Sequence, residues 1–363
     1  MMMAMRNQKD RVAALRRRLG DEDLDGLVVA DGPPLRYLVS YTGSNGLLVV
    51  SQARCDFFTD GRYREQAARE IRGAKVQIVS GDLISHLNTA PTLAKGRPKL
   101  GYCAQHFSED RVQRLRSVLP KALLVPVEDL VAPLMQVKDA GEVALIRCAA
   151  AIADKAFAAI LPVIKAGVRE RDVAAELEYV MMKAGSEKAA FETIVASGPR
   201  SALPHGRASM RRIRPGDFVT LDFGATVDGY VSDLTRTVVV GRASARQRQV
   251  YNLVARAQKA AITRARPGAV CSQLDKAARG VIERAGHGKR FDHGLGHGIG
   301  LAVHEGPAVN AKSKVVLKAG MVFTIEPGVY FPGWGGVRIE DDVLIGAHGV
   351  SLLTTAERSL VEL

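Results

Sequence analysis

Over the first 130 positions, short apolar blocks alternate with polar, charge-rich stretches of helical periodicity. Leu24–Ala30 reads as a buried strand, as do Gly46–Val50, Phe57–Thr59, Val76–Val79, Leu100–Cys103 and Leu123–Val127. Between them the spacing predicts helices at Arg6–Leu19, Arg62–Ile71, Leu83–Asn88 and Glu109–Val118. This alternation predicts an α/β domain over residues 1–130, followed by a linker at 131–138 that carries Pro133. Beyond it, Asp139–Ala166 is a long helical pattern broken near Pro162, and Asp172–Ala184 is a second helix. Strand-rich residues 190–240, helices at Ala245–Arg264 and Ser272–Arg284, and a last set of strands complete an α+β domain at 139–363.

Two stretches of this second domain repeat one pattern. Val219-Thr220-Leu221-Asp222-Phe223-Gly224 and Phe323-Thr324-Ile325-Glu326-Pro327-Gly328 both read apolar, Thr, apolar, acid, any residue, Gly. Each is followed by a second acid on a second apolar run, Asp233 in the first copy and Glu340 in the second. Between the copies lies Gly296-His297-Gly298-Ile299-Gly300, with His304 seven residues beyond His297.

Asp228-Gly229 between apolar runs signals a two-residue hairpin, because a type I′ turn needs positive φ at both central positions. That turn pairs Asp222 with Thr235 and Gly224 with Asp233. Side chains alternate along a strand, so Asp222 and Asp233 share one face as diagonal neighbours, and Leu221, Phe223, Leu234 and Val238 take the other. In the second copy Glu326 and Glu340 alternate in the same way against Phe323, Ile325, Val337 and Ile339, although the Gly-rich loop 331–336 gives no tight turn. Four ionised carboxylates about 4–6 Å apart would repel by on the order of 20 kcal/mol in all at an effective dielectric of about 20. This exceeds the ~5–15 kcal/mol stability of a typical domain, so protons or cations must relieve it. Two dications balance four negative charges, and four carboxylates with one histidine make a hard, oxygen-rich ligand set. It suits Mn(II), with Co(II) and Zn(II) less preferred.

With these motifs in order, the chain resembles the metal-dependent pita-bread peptidases, the family of methionine aminopeptidase, aminopeptidase P and prolidase. The resemblance is carried by Leu221-Asp222-Phe223-Gly224, Ser232-Asp233-Leu234-Thr235-Arg236-Thr237, Gly296–Gly300, Val303-His304-Glu305, Thr324–Gly328 and Gly336-Val337-Arg338-Ile339-Glu340-Asp341. It implies that Asp222, Asp233, His297, Glu326 and Glu340 hold two divalent metal ions per chain. Gly336–Asp341 and Pro204-His205-Gly206 look like the proline-specific branch, the Xaa-Pro dipeptidases and aminopeptidase P. The N-terminal third resembles theirs too, with Thr59-Asp60-Gly61-Arg62-Tyr63 as a further marker.

The implied reaction is hydrolysis of the bond between an N-terminal residue and proline. In it Glu326 shuttles the proton, and His205 and His304 stabilise the oxyanion or protonate the leaving nitrogen. Arg338, on the strand face of Glu340, would orient that ligand, bind a substrate carboxylate or pair with an acid from the other domain. His293 reads as a supporting or structural residue; His86, His106, His287 and His348 read as structural. One position departs from the prolidase pattern: Ala308 stands where some members carry an arginine for the dipeptide's carboxylate, which leaves room for longer peptides. The resemblance also implies a homodimer. A metal-free pita-bread binding module and a methionine aminopeptidase-like enzyme are the alternatives; the filled ligand positions oppose the first and the long N-terminal domain the second.

Composition narrows the setting. In 363 residues, 47% hydrophobic and 25% charged content are those of a soluble globular protein. No apolar run approaches the ~20 residues of a membrane span. Residues 1–20 are polar and Arg-rich rather than a secretory signal, and four widely spaced cysteines with no Cys-x-x-Cys fit a reducing cytoplasm. A net charge of +13 raises nucleic acid as a partner, but the basic residues are dispersed, with no run longer than Arg16-Arg17-Arg18, and aromatics are few. The charge reads as solubility, and proline-containing peptides remain the expected partners.

Overall fold

The computed structural model describes residues 8–363, apart from Asp31, Thr92, Ala94 and Lys95. The chain divides into two compact units between Met135 and Gln136. In the first, a six-stranded mixed sheet holds strands β1 (Gly26–Val29), β2 (Leu47–Ser51), β3 (Cys55–Asp60), β4 (Lys75–Val79), β5 (Lys99–Cys103) and β6 (Leu123–Val127) in the order β4-β3-β2-β1-β5-β6. Strands β1 and β2 are buried at every position, as continuous apolar runs require. Helices fall at Gln8–Asp21, Arg64–Glu70 and Glu109–Val118, near the expected bounds. Arg6 and Asn7, expected to begin the first of them, lie outside the described residues.

The structure differs from the sequence pattern in three places here. A helix at Gly32–Val39 was not anticipated, since Pro33-Pro34 hides it; proline is tolerated in a first helical turn, and Leu35, Leu38 and Val39 bury one face. Leu83–Asn88 forms a 3₁₀ helix, Ile84–Thr89, and the stretch expected as linker contains a short helix, Ala132–Met135. The Thr59–Tyr63 marker is a capping turn: Asp60 accepts from the Arg62 amide at 2.9 Å and pairs with its guanidinium.

The second unit repeats one plan twice. Helices Ala140–Ile160 and Glu170–Lys183 cover a three-stranded antiparallel sheet of β7 (Ile194–Ser197), β8 (Phe218–Phe223) and a strand that follows a small hairpin, β9 (Thr226–Val227) with β10 (Tyr230–Val231). That later strand is β11 (Leu234–Val239), and the sheet order is β11-β8-β7. The long helix starts at Asp139 with a capping box to Glu142 and gives way to a 3₁₀ turn at Leu161-Pro162-Val163. Helices Ala245–Ile262 and Cys271–Arg284 precede a five-stranded sheet. Its strands are β12 (Gly296–Gly298), β13 (Glu305–Val309), β14 (Val322–Ile325), β17 (Asp341–Ile345) and β18 (Val350–Leu352), ordered β13-β12-β14-β17-β18. A second hairpin, β15 (Gly328–Phe331) with β16 (Gly335–Arg338), sits between β14 and β17 as the first sits between β8 and β11.

The Asp-Gly turn forms as the sequence requires, with φ of 45° at Asp228 and 70° at Gly229. It sets Asp222 opposite Thr235 and Phe223 opposite Leu234. Leu221, Phe223, Leu234 and Val238 then bury against Phe157, Leu177 and Met181 of the first helix pair. Phe323, Ile325, Val337 and Ile339 do the same against Val254, Leu274 and Ile282 of the second. With the apolar faces committed to the helices, the acid-bearing faces are left to line the interior between the two halves. Among the described residues no helix is long and apolar enough to cross a membrane.

Candidate metal centre and active site

Each half delivers one acid near the end of its first strand and another where the chain returns from the hairpin. Asp222 lies in β8 and Asp233 just before β11; Glu326 directly follows β14 and Glu340 directly precedes β17. His297 is the middle residue of β12, and its glycine flanks have a steric cause. A Cβ at Gly296 would sit 2.0 Å from the Thr324 carbonyl oxygen, and one at Gly298 would sit 2.0 Å from that of Gly306. Only glycine lets β12 come so close to both neighbours.

Asp222, Asp233, His297, Glu326 and Glu340 line one cavity of about 500 Å³, whose wall also holds His205, His304 and Arg338. Donor atoms of Asp233, His297 and Glu340 lie within 4.8 Å of one another. His297 Nε2 is 3.3 Å from Glu326 Oε1 and 3.7 Å from Asp233 Oδ2. The protein engages one oxygen of several acids and leaves the other. Thr235 Oγ1 donates to Glu340 Oε2 at 2.6 Å, Thr324 Oγ1 to Glu326 Oε1 at 3.2 Å, and Arg338 Nη2 to Asp222 Oδ2 at 2.5 Å. Asp222 Oδ1, Asp233 Oδ1 and Glu340 Oε1 are buried with no hydrogen-bond partner. Unpartnered buried carboxylate oxygens are costly, and divalent cations fit this set of oxygen donors with one imidazole and no sulfur.

The titration of the cluster follows from the same crowding. Burial, then the charges of Glu340 and Asp222, pushes the Asp233 carboxyl well above its ordinary range; burial, then Glu326 and Asp222, does so for Glu340. Burial raises Glu326 to about 7 against the pull of Arg338. His297 is pushed down to about 4 by burial and by neighbouring His304, which keeps its imidazole neutral, the form that ligates a metal.

Arg338 does not reach Glu340, with which its strand face associates it. Its guanidinium crosses to Asp222 of the other half, and also donates to Thr235 Oγ1 at 3.2 Å and to Tyr330 Oη and the Pro204 carbonyl at 3.1 Å each. His205 is exposed on the loop after the 3₁₀ turn Gly198–Ala202, and His304 is exposed with its ring centroid 4.3 Å from that of His297. His293 lines the same cavity, its Nε2 2.9 Å from Tyr330 Oη, and burial together with Arg338 lowers it to about 4. His86 bonds the Ser80 carbonyl and His287 packs edge-on against Phe331. His106 instead stands beside Cys103 and Asp129.

Sequence reasoning missed several supporting residues. Thr235 and Thr324 were legible as the threonines spaced two residues from an acid in each copy. Tyr330 gave no signal. Nor did Asp342, which accepts the Asp233 amide at 2.9 Å, or Glu170, which is buried away from the cavity.

Comparison with known proteins agrees with this geometry. Residues 144–347 match the model of metallopeptidase family M24, and residues 11–134 match the creatinase/prolidase N-terminal domain. The chain is 39% identical to the Xaa-Pro dipeptidase of Pyrococcus furiosus, over 97% of this chain and 100% of that one. Among solved structures it resembles an Xaa-Pro dipeptidase from Bacillus anthracis with a TM-score of 0.95 at 38% identity, covering 98% of this chain and 100% of the other. It also resembles an X-Pro aminopeptidase from Thermotoga maritima with a TM-score of 0.89 at 36% identity, over 97% and 99% of the two chains. The chain belongs to metallopeptidase family M24: a hydrolase with a creatinase-type N-terminal domain and a pita-bread catalytic domain.

Proposed function

We propose that this protein is a dinuclear-metal-dependent exopeptidase that hydrolyses the bond between an N-terminal residue and proline. The observation that carries this is the single cavity in which five candidate ligands, three of them with a buried unpartnered oxygen, meet His205, His304 and Arg338. Asp222, Asp233, His297, Glu326 and Glu340 would hold two divalent ions, with Mn(II) best suited to so many carboxylate oxygens. Such a pair, when bound, supplies Lewis acidity and an activated water.

The remaining steps belong to the chain. Glu326 takes the proton of the attacking water on its carboxylate and passes it towards the scissile nitrogen. His304 and His205, both exposed on the cavity wall, stabilise the oxyanion or relay the proton to that nitrogen, which in an Xaa-Pro bond is a tertiary amide. Arg338 holds Asp222 in place through its 2.5 Å contact. Phe191, Ile194 and Val303 supply apolar wall for the pyrrolidine ring. Ala308 puts no cation on β13 where some prolidases have one, which supports turnover of peptides longer than two residues. The family resemblance carries a homodimer as the expected state, and the four dispersed cysteines a reducing cytoplasm.

The test is chelator-treated protein reloaded with Mn(II) and assayed on Xaa-Pro, Xaa-Pro-Xaa and Met-Ala-Xaa peptides. Chelation should abolish activity and Mn(II) restore it, with cleavage after the first residue of both proline peptides. Asp233→Ala and Glu340→Ala should each lose nearly all turnover. Full activity without metal defeats the dinuclear reading, and faster cleavage of Met-Ala-Xaa moves the assignment to methionine aminopeptidase.

A further inference from the structure

We propose that the N-terminal unit carries a cation site of its own, made by Cys103, His106 and Asp129 and suited to a thiophilic divalent ion such as Zn(II). Cys103 ends β5, and a turn closed by the His106 amide on the Cys103 carbonyl at 3.0 Å brings the imidazole back beside the thiol. The parallel register sets Cys103 next to Val127 of β6, so Asp129, two residues further along, arrives at the same sheet edge. Donor atoms of all three side chains lie within 4.8 Å of one another.

Two details of the geometry fit a shared cation. His106 Nε2 stands 3.5 Å from Asp129 Oδ2, long for a hydrogen bond. Two donors each ~2.0–2.1 Å from one tetrahedral ion would be separated by roughly 3.3–3.5 Å. The carboxylate is also aimed: Asp129 Oδ1 accepts the amides of Val131 and Ala132 at 2.8 and 2.9 Å, which turns Oδ2 towards the histidine. A cavity of about 20 Å³, walled by these three residues and by Ala30, Pro34 and Phe107, adjoins the cluster. It is large enough for one water as a fourth ligand.

The donor chemistry selects the ion. A thiolate and a carboxylate balance a dication, and sulfur with imidazole favours Zn(II) over the hard cations suited to the carboxylate cavity. A bound ion would add a side-chain clip between the turn after β5 and the segment after β6, beyond the backbone bond from the Ala104 amide to the Val127 carbonyl at 3.3 Å.

Cobalt(II) distinguishes this site from the catalytic one, because only a thiolate ligand gives a sulfur-to-Co(II) charge-transfer band and the candidate peptidase centre has no cysteine. Chelator-stripped protein, kept reduced with a phosphine, should develop this near-ultraviolet band on Co(II) titration and lose it to added Zn(II). Cys103→Ser and His106→Ala should lack the band. Asp129→Asn, which keeps an acceptor for the two amides, should weaken Co(II) binding at this site at least tenfold, whereas Cys148→Ser should leave the band intact. A wild-type chain that binds Co(II) without the band overturns the proposal even if every variant misfolds. So does a band that survives Cys103→Ser or disappears in Cys148→Ser.

Discussion

Glu326 has one oxygen on Thr324, sits 3.3 Å from His297, and is held by burial at a pKa of about 7 rather than 4.5. Such a group links stability to pH in one direction. Below about pH 4.5 it is protonated in native and unfolded chains alike. Between about 4.5 and 7 the unfolded chain gives up a proton that the native state keeps, so its contribution to stability falls as pH rises. In chelator, wild-type protein should therefore lose melting temperature relative to Glu326→Gln across that window. Mn(II) should reverse the order, because the native carboxylate then has a cation to bind and the amide does not. Paired thermal melts at several pH values measure it; a gap that stays constant with pH in chelator refutes the assignment of the raised pKa to Glu326.

At the scale of elements, the segment that carries His205 is organised from beneath by a residue no motif contains. Glu170, fully buried at the start of its helix, accepts from the Ser197 amide and hydroxyl, from Arg200 Nε, and from the Ser209 amide and hydroxyl. Those donors bracket residues 198–208. Glu170→Ala leaves them without their acceptor and frees the loop, and a displacement of about 1 Å at a reacting group can cost on the order of 100-fold in rate. We expect kcat on an Xaa-Pro peptide to fall by about that factor while bound metal per chain stays unchanged, since none of the five candidate ligands is on this loop. Metal analysis beside kinetics decides it: lost metal would mean the whole cavity had collapsed, and unchanged kcat would mean His205 needs no such support. Trp334, on the loop between Glu326 and Glu340, is likewise already fixed. It packs at right angles to Phe218 and Phe331, with the Arg246 guanidinium 4.1 Å above it.

Across the whole catalytic unit, the two halves are joined by a buried charge network. Arg236 of β11 donates to Asp341 Oδ1 at 2.8 Å and to the backbone carbonyls of Glu340, Ala356 and Glu357. Asp341 also receives Arg358 and Gln258. The arginine side chain is 1% exposed and the aspartate 0%, so removing one partner strands the other in a medium that solvates it poorly. Arg236→Leu should cost roughly 3–5 kcal/mol, seen in denaturant unfolding of the metal-free protein. It should also weaken metal binding, because Glu340 loses the anchor on its carbonyl. A variant within about 1 kcal/mol of wild type would mean that Arg358 alone suffices for Asp341.

What the sequence determined by itself is mostly local and periodic. The Asp-Gly turn dictates a register, and the register and the alternation of side chains put Asp222 and Asp233 on one face; for Glu326 and Glu340 no tight turn fixes the pairing, and only alternation and the likeness to the first copy suggest it. Apolar periodicity placed the strands of the first unit and most helices; it missed the short helix Ala132–Met135 and failed at Gly32–Val39, where two prolines mask a helix whose first turn tolerates them. What it left open were contacts between residues far apart in the chain. Arg338 and Asp222 are 116 positions apart, and Glu340 and Thr235 105 apart. Their pairing depends on how two sheets meet, which no local pattern encodes. Glu170 and Tyr330 carry no periodic or motif signal, because a buried polar group is defined by the partners that surround it rather than by its neighbours in sequence. The chain thus names its acids locally, and only the packed fold decides which of their oxygens the protein holds and which stay buried without a hydrogen-bond partner.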